Sequence, residues 1–286
     1  MALNKQTFRI RTVTSILFAM VMLGGLIWNR WSFFILFSVV HFGCWFEYEK
    51  LISRINADHK RVSSLYRHGV MVAGWCIMLY FTNDELQLAG LRLSHVGWWV
   101  GLLMALILPL AILIRFRFIS FTNIGYSVFG IIYISLSLGL LIDLRNHWIE
   151  EKYQLNLIIP LLIIFSLWVN DTMAYIVGSL IGKTPLSEVS PKKTWEGTIG
   201  GIILAMAVMC TVAFYTEKLS LLHTGLIAAL TAIAGTFGDL FESKLKRLTN
   251  VKDSGSILPG HGGFLDRFDS LLFASIAGWF YAVIFL

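Results

Sequence analysis

Apolar runs long enough to cross a bilayer recur along the whole chain, and this recurrence limits the possible folds more than any other feature of the sequence. A helix needs about 17–25 mostly apolar residues to span the hydrocarbon. Runs near that length lie at residues 10–28, 31–46, 69–82, 96–114, 124–142, 155–178, 199–215, 221–240 and 267–285. Any one alone would pass as a buried core helix. The set does not: of 286 residues 57% are hydrophobic and 14% charged, against about 25% charged in a soluble domain. The expected fold is all-α, a polytopic membrane helix bundle of about nine transmembrane helices.

Charge placement orients that bundle. Eighteen of the 23 Lys and Arg fall in the alternate segments that begin at the N-terminus, and five in the others. Cytoplasmic loops carry the basic excess, so the N-terminus is expected inside and, with an odd number of spans, the C-terminus outside. Lys5, Arg9 and Arg11 before an apolar stretch imitate a signal peptide, yet Gly24–Arg30 (GGLIWNR) has no small-residue cleavage site. An uncleaved first helix is expected, turning into the second by a tight hairpin at Asn29–Arg30. Cys44, Cys76 and Cys210 sit in apolar segments without disulfide or zinc spacing. Neither a linker nor a repeat is visible. One membrane domain, 1–286, is expected, with scaffold helices in 1–150 and a catalytic half in 151–286. The inside loop 47–68 reads as a topology signal at headgroup level, where each Lys or Arg attracts anionic lipid by about 1 kcal/mol.

From Asn170 onward the character of the chain changes. Asp171 lies deep in an apolar run, where an ionised carboxylate costs at least about 2.5–3.5 kcal/mol, so it needs a partner, a metal or a wet cavity. The loop after it reads Ser190-Pro191-Lys192-Lys193-Thr194-Trp195-Glu196-Gly197. Hydroxyls, paired lysines and a helix start suit a polyphosphate site: Ser190, Lys192, Lys193 and Thr194 are candidate substrate contacts. It is not a P-loop. The segment Gly238–Arg247 is denser still. On a helix, Asp239, Ser243, Lys246 and Arg247 share one face. Then come Lys252-Asp253-Ser254-Gly255, Pro259-Gly260-His261-Gly262-Gly263 and Leu265-Asp266-Arg267-Phe268-Asp269. Carboxylates at the ends of neighbouring helices suit Mg²⁺, which keeps few protein ligands and takes the rest from phosphate and water. Lysines and arginine would cradle phosphate oxygens, glycines would admit the ligand to the backbone, and His261 would assist a leaving phosphate.

The run Ser243-x-x-Lys246-Arg247-x4-Lys252-Asp253-x-Gly255-x3-Pro259-Gly260-His261-Gly262-Gly263-x2-Asp266-Arg267-x-Asp269 resembles the signature of the phosphatidate cytidylyltransferases. The Ser190–Gly197 segment and Asp171-x-x-Ala174-Tyr175 match the same family. The resemblance covers about the C-terminal 40% of the chain. It implies the reaction CTP + phosphatidic acid → CDP-diacylglycerol + pyrophosphate, a divalent metal with a second cation such as K⁺, and a homodimer. Carried over, Asp239 and Asp266 would hold metal, and Ser243, Lys246, Arg247, Lys252, His261 and Asp269 would act close to the chemistry. The nucleophile is already an anion, so positioning and charge neutralisation carry the reaction rather than a strong base.

Two rivals stand beside this reading. A CTP-dependent lipid kinase would share a membrane CTP site and release CDP. A secondary transporter would show broken helices near mid-membrane in both halves, whereas the polar residues here gather in the C-terminal half. The expected setting is the cytoplasmic (inner) membrane, active site inside, with CTP, phosphatidic acid and the bilayer as partners and no nucleic acid.

Overall fold

The computed structural model describes residues 5–114, 119–146, 155–255 and 262–286. Helices occupy every position at which a span was expected: α1 (Lys5–Ile27), α2 (Arg30–Ile55), α4 (Ser64–Tyr80), α5 (Leu93–Ile114), a run of α6 (Phe121–Gly130), a π-helical turn (Ile131–Leu136) and α7 (Ser137–Asn146), then α8 (Leu155–Ile181), α9 (Trp195–Thr216), α10 (Leu221–Leu248) and α11 (Leu265–Phe285). A single-turn helix, α3 (Ala57–Lys60), and a two-residue hairpin of β1 (Gln87–Leu88) with β2 (Leu91–Arg92) complete the described elements. Six helical runs are long and apolar enough to cross a membrane: those beginning at Leu93, Phe121, Leu155, Trp195, Leu221 and Leu265. The protein is thus an all-α, multi-pass membrane protein. The count of nine spans is not met by these criteria among the described residues.

Local chemistry sets the helix ends. Asn29 caps α2 reciprocally: Ser32 N–H donates to Asn29 Oδ1 at 2.8 Å and Asn29 N–H to Ser32 Oγ at 3.0 Å. Two orphan donors are satisfied at once, and the expected hairpin follows. Elsewhere the apolar runs understate the helices. The supposed loop 47–68 is helical as far as Ile55, because Glu47, Tyr48, Leu51 and Ile52 keep a buried face going. Similarly α10 runs on to Leu248, with Glu242 and Leu245 buried beyond the apolar run. The short third span starts earlier than expected, at Ser64, where Ser63 caps it.

The chain forms two compact units, Met1–Ile142 with Leu248–Phe268, and Asp143–Arg247 with Asp269–Leu286. These do not follow a cut at residue 150, since 248–268 groups with the N-terminal helices. In the first unit the core is aromatic, with Phe33, Phe37, Trp45 and Tyr48 almost fully buried. A polar node sits inside it: Ser135, on the π-helical turn, accepts from Trp45 Nε1 at 2.9 Å and lies 2.9 Å from His41 Nε2.

In the second unit, small residues bring backbones together. Ala174, Gly178 and Gly182 on α8 and its end are spaced by four, as are Gly197 and Gly201 on α9. A Cβ added at Gly201 would stand 2.8 Å from Ala174 Cβ, and one at Gly197 would stand 2.7 Å from Ala174 O. Such close approach substitutes for a hydrophobic driving force that lipid does not supply. Gly201→Val is accordingly expected to destabilise the protein by roughly 1–3 kcal/mol or more, whereas Gly24→Ala, which meets nothing within 4 Å, should be neutral. Thermal unfolding of both variants in detergent checks this.

Candidate active site

The second unit gathers three carboxylates. Asp239 and Glu242 lie three residues apart on α10, and Asp269 lies in α11. One oxygen from each falls within 4.8 Å of the others. Glu242 is fully buried and Asp269 7% exposed. Gly238 permits the approach: a Cβ there would collide with the carbonyl of Asp269 and stand 3.1 Å from Ser270 Cα. Two carboxylates at this separation repel by roughly 3–4 kcal/mol at an effective dielectric of 20, so the cluster needs cations. The chain supplies two. Lys246, one turn beyond Glu242, forms an ion pair with it, and Lys193 forms one with Asp239. Ser243 Oγ donates to Asp239 Oδ1 at 3.4 Å. Asp171 is exposed on α8, where Asn170 Nδ2 donates to its Oδ1 at 3.4 Å, and its charge acts on Lys193.

Lys193 is delivered by a loop that is closed by its own hydrogen bonds. Leu186 N–H donates to Lys193 O at 2.8 Å, Lys193 N–H to Ser190 O at 3.0 Å and Trp195 N–H to Thr184 O at 3.0 Å. Glu196, which the sequence did not mark as a site residue, fastens the other end, accepting from Thr184 Oγ at 2.8 Å and from the amides of Lys183 and Thr184 at 3.2 Å. The result separates two adjacent lysines, since Lys192 is exposed while Lys193 turns inward. Burial pushes the Lys193 ammonium below its ordinary pKa, against the opposing pull of Asp171 and Asp269. Thr194 is engaged in capping α9, its Oγ accepting from Gly197 N–H at 3.1 Å. Its hydroxyl is therefore already bonded to the helix start at which a phosphate contact was expected.

The first unit has a carboxylate centre of its own. Glu47, 4% exposed on α2, accepts from Ser254 Oγ at 2.7 Å, Leu265 N–H at 2.8 Å and Phe264 N–H at 3.0 Å. Asp266, in the first turn of α11, accepts through Oδ2 from Gly263 N–H at 2.8 Å and from Ser254 N–H at 2.9 Å, and Ser254 Oγ, whose single proton it shares with Glu47, lies 2.9 Å away. Gly262 adopts φ +84°, and a Cβ there would stand 2.6 Å from Asp266 Oδ2, so only glycine fits. Two acids thus shape the segment on either side of the His261 stretch. His261 itself, with Pro259 and Gly260, lies outside the described residues. Lys252, Asp253 and Arg247 are exposed. Glu47 went unmarked because its neighbours read as a charged loop; the one available signal was an acid in phase with the buried face of α2.

Of the predicted site residues, Asp239, Asp269, Ser243, Lys246 and Lys193 come together in the second unit, joined by the unmarked Glu242. Asp266 belongs to the first unit and is engaged with Ser254 and Gly263. The donor set of the second unit fits a divalent cation, which favours hard carboxylate oxygens, and the two lysines fit phosphate.

The profile described as the cytidylyltransferase family matches residues 9–285, and the chain belongs to that family, a family of nucleotidyltransferases. It is 36% identical over 202 residues to a phosphatidate cytidylyltransferase of Bacillus subtilis, covering 70% of this chain and 71% of the relative. It is 38% identical over 155 residues to that of Synechocystis, covering 52% and 53% respectively. A third, of Helicobacter pylori, is 46% identical over 108 residues, covering 38% and 41%.

Removing Glu47 should loosen the segment it holds. A hydrogen bond to a charged group contributes roughly 1.5–3 kcal/mol, so Glu47→Ala should lower stability by at least about 2 kcal/mol. Amide exchange at Phe264 and Leu265 should rise with it, while Glu47→Gln retains part of the protection. Unchanged exchange would show that Glu47 does not order the segment.

Proposed function

We propose that this chain is a phosphatidate cytidylyltransferase whose reaction centre is built around the acids and lysines of the second unit. It makes CDP-diacylglycerol: a phosphate oxygen of phosphatidic acid forms a bond to the α-phosphorus of CTP, and the bond to the β-phosphate bridging oxygen breaks, releasing pyrophosphate. The observation that carries this reading is the convergence of Asp239, Glu242 and Asp269 beside Lys193 and Lys246.

Both substrates are anions, so the main barrier to meeting is repulsion. Lys193 and Lys246 offset it by exchanging their carboxylate partners for phosphate oxygens. Arg247, exposed on α10, extends the same positive field towards the nucleotide, with Lys192 and Ser190 at the loop, and Lys252 enters as a phosphate contact through the family resemblance. Asp239, Glu242 and Asp269 would hold Mg²⁺, which supplies neutralisation of the triphosphate charge when bound. Asp266 as a further metal ligand, His261 beside the leaving pyrophosphate and a second cation such as K⁺ enter this proposal through the family resemblance. In the same reading the protein is a homodimer of the cytoplasmic membrane with its site facing the cytoplasm, and phosphatidic acid enters from the inner leaflet.

The test is turnover by the full chain in detergent with phosphatidic acid and CTP, following pyrophosphate and CDP-lipid with and without Mg²⁺. Mg²⁺-dependent release of both products is expected, whereas CDP with a phosphorylated lipid alcohol would overturn the reading in favour of a kinase. Asp239→Asn should lower the rate at least about 100-fold, in the range of lost electrostatic stabilisation at a phosphoryl centre. The two adjacent lysines should differ: Lys193→Met is expected to cost about as much, Lys192→Met tenfold or less. Equal effects at both positions would mean that the inward turn of Lys193 has no role in the chemistry.

A further inference from the structure

The first unit holds another concentration of charge, at the end of α2 and the start of α4. There a cavity of about 520 Å³ is lined by Lys50, Ser53, Arg54, Lys60 and Arg67. Lys50, Ser53 and Arg54 stand at i, i+3 and i+4 on α2 and so project side by side. One carboxylate, Glu49, shares the lining, and it is already engaged: His59 Nε2 lies 2.9 Å and Arg67 3.8 Å from its Oε2. Lys50, Arg54 and Lys60 have no ion-pair partner among the described residues, although Arg61 in the same stretch pairs with Asp58. Ser53 Oγ and Arg67 Nε are buried without a hydrogen-bond partner among the described residues.

Buried donors are ordinarily satisfied, and unpaired cations around a concavity favour an anion. The remaining lining decides which kind. Beside His68, Trp45, Phe46 and Met71 form an apolar side of the cavity, and Phe46 is 54% exposed. A small free anion would leave that side unused. A phosphate joined to an acyl chain would use both.

We propose that this cavity binds the phosphate head group of an anionic phospholipid, its oxygens among Lys50, Arg54 and Lys60 with Ser53 Oγ and Arg67 Nε donating, and its chains against Phe46. The site is a lipid site in the N-terminal helices and does not depend on the reading of the second unit as a cytidylyl-transfer centre.

The test is native mass spectrometry of the full chain, stripped of lipid in detergent and titrated with phosphatidylglycerol or phosphatidylcholine. Saturable binding of phosphatidylglycerol at least tenfold tighter than phosphatidylcholine is expected. Lys50→Gln/Arg54→Gln/Lys60→Gln should weaken it at least tenfold, and Arg61→Gln, which removes a charge outside the cavity, should not. Because all three replaced side chains are exposed, the triple variant should keep its unfolding temperature; should it fail to fold, Arg54→Gln alone decides, with a threefold or greater loss expected. Inorganic phosphate and CTP, each added at the lipid concentration, should leave the bound lipid in place. Displacement by either would make this a free-anion or nucleotide site and overturn the proposal. An equal loss in Arg61→Gln would do the same by reducing it to diffuse surface charge.

Discussion

The polar side chains that α10, α11 and the loop before α9 bring together are arranged around the repulsion of three carboxylates held within 4.8 Å. Such a group does not survive in a helix bundle without cations, and the sequence meets the need in two ways. Lys246 is supplied locally, one turn along α10 from Glu242. Lys193 comes from a loop closed by Glu196 at one end and by backbone bonds through Leu186 at the other. The small residues have the same logic. Gly238 lets α10 lie against the backbone at Asp269 and Ser270, and the spaced glycines of α8 and α9 fix the two helices that carry the loop. A bulkier residue at any of these points would separate charges that need each other.

The same arrangement suits phosphate chemistry for a physical reason. A lysine paired to a carboxylate can release it for a phosphate oxygen with little net change in charge environment, and each carboxylate so released suits a hard divalent cation. Glu47 works differently. Its oxygens are bound to a hydroxyl and two backbone amides of the segment 254–265, so it acts as an anchor for backbone. With Asp266 holding Gly263 and Ser254, two buried acids fix the chain on both sides of the glycine-rich stretch, and φ at Gly262 leaves no room for any other residue there.

Much of this was legible in the sequence, to an uneven degree. Apolar runs located each of the long helices because the bilayer requires them, and the close succession of the first two runs gave the hairpin at Asn29–Arg30. What the runs could not give was where helices stop, since α2 and α10 continue on a buried face that includes acids. A hydropathy reading takes an acid as a boundary; packing can take it as a ligand for backbone. That is why Glu47 and Glu242 were passed over while Asp239, Ser243, Lys246 and Asp269 were found from helical spacing and motif. Spacing along one helix is local information. Which acid of α11 shares a cluster with Asp239 is decided by the approach at Gly238, and the neighbour so brought in is Asp269.

The adjacent lysines show the limit of local reading most clearly. Nothing in the pair Lys192-Lys193 distinguishes its members, and composition assigns both to phosphate. The backbone distinguishes them: Lys193 has its amide and carbonyl fixed to Ser190 and Leu186, and its side chain pairs with Asp239, while Lys192 is exposed. Burial then lowers its affinity for a proton while Asp171 and Asp269 raise it. Burial is the larger effect, so the position of Lys193 is decided by the loop that delivers it and the acid that receives it.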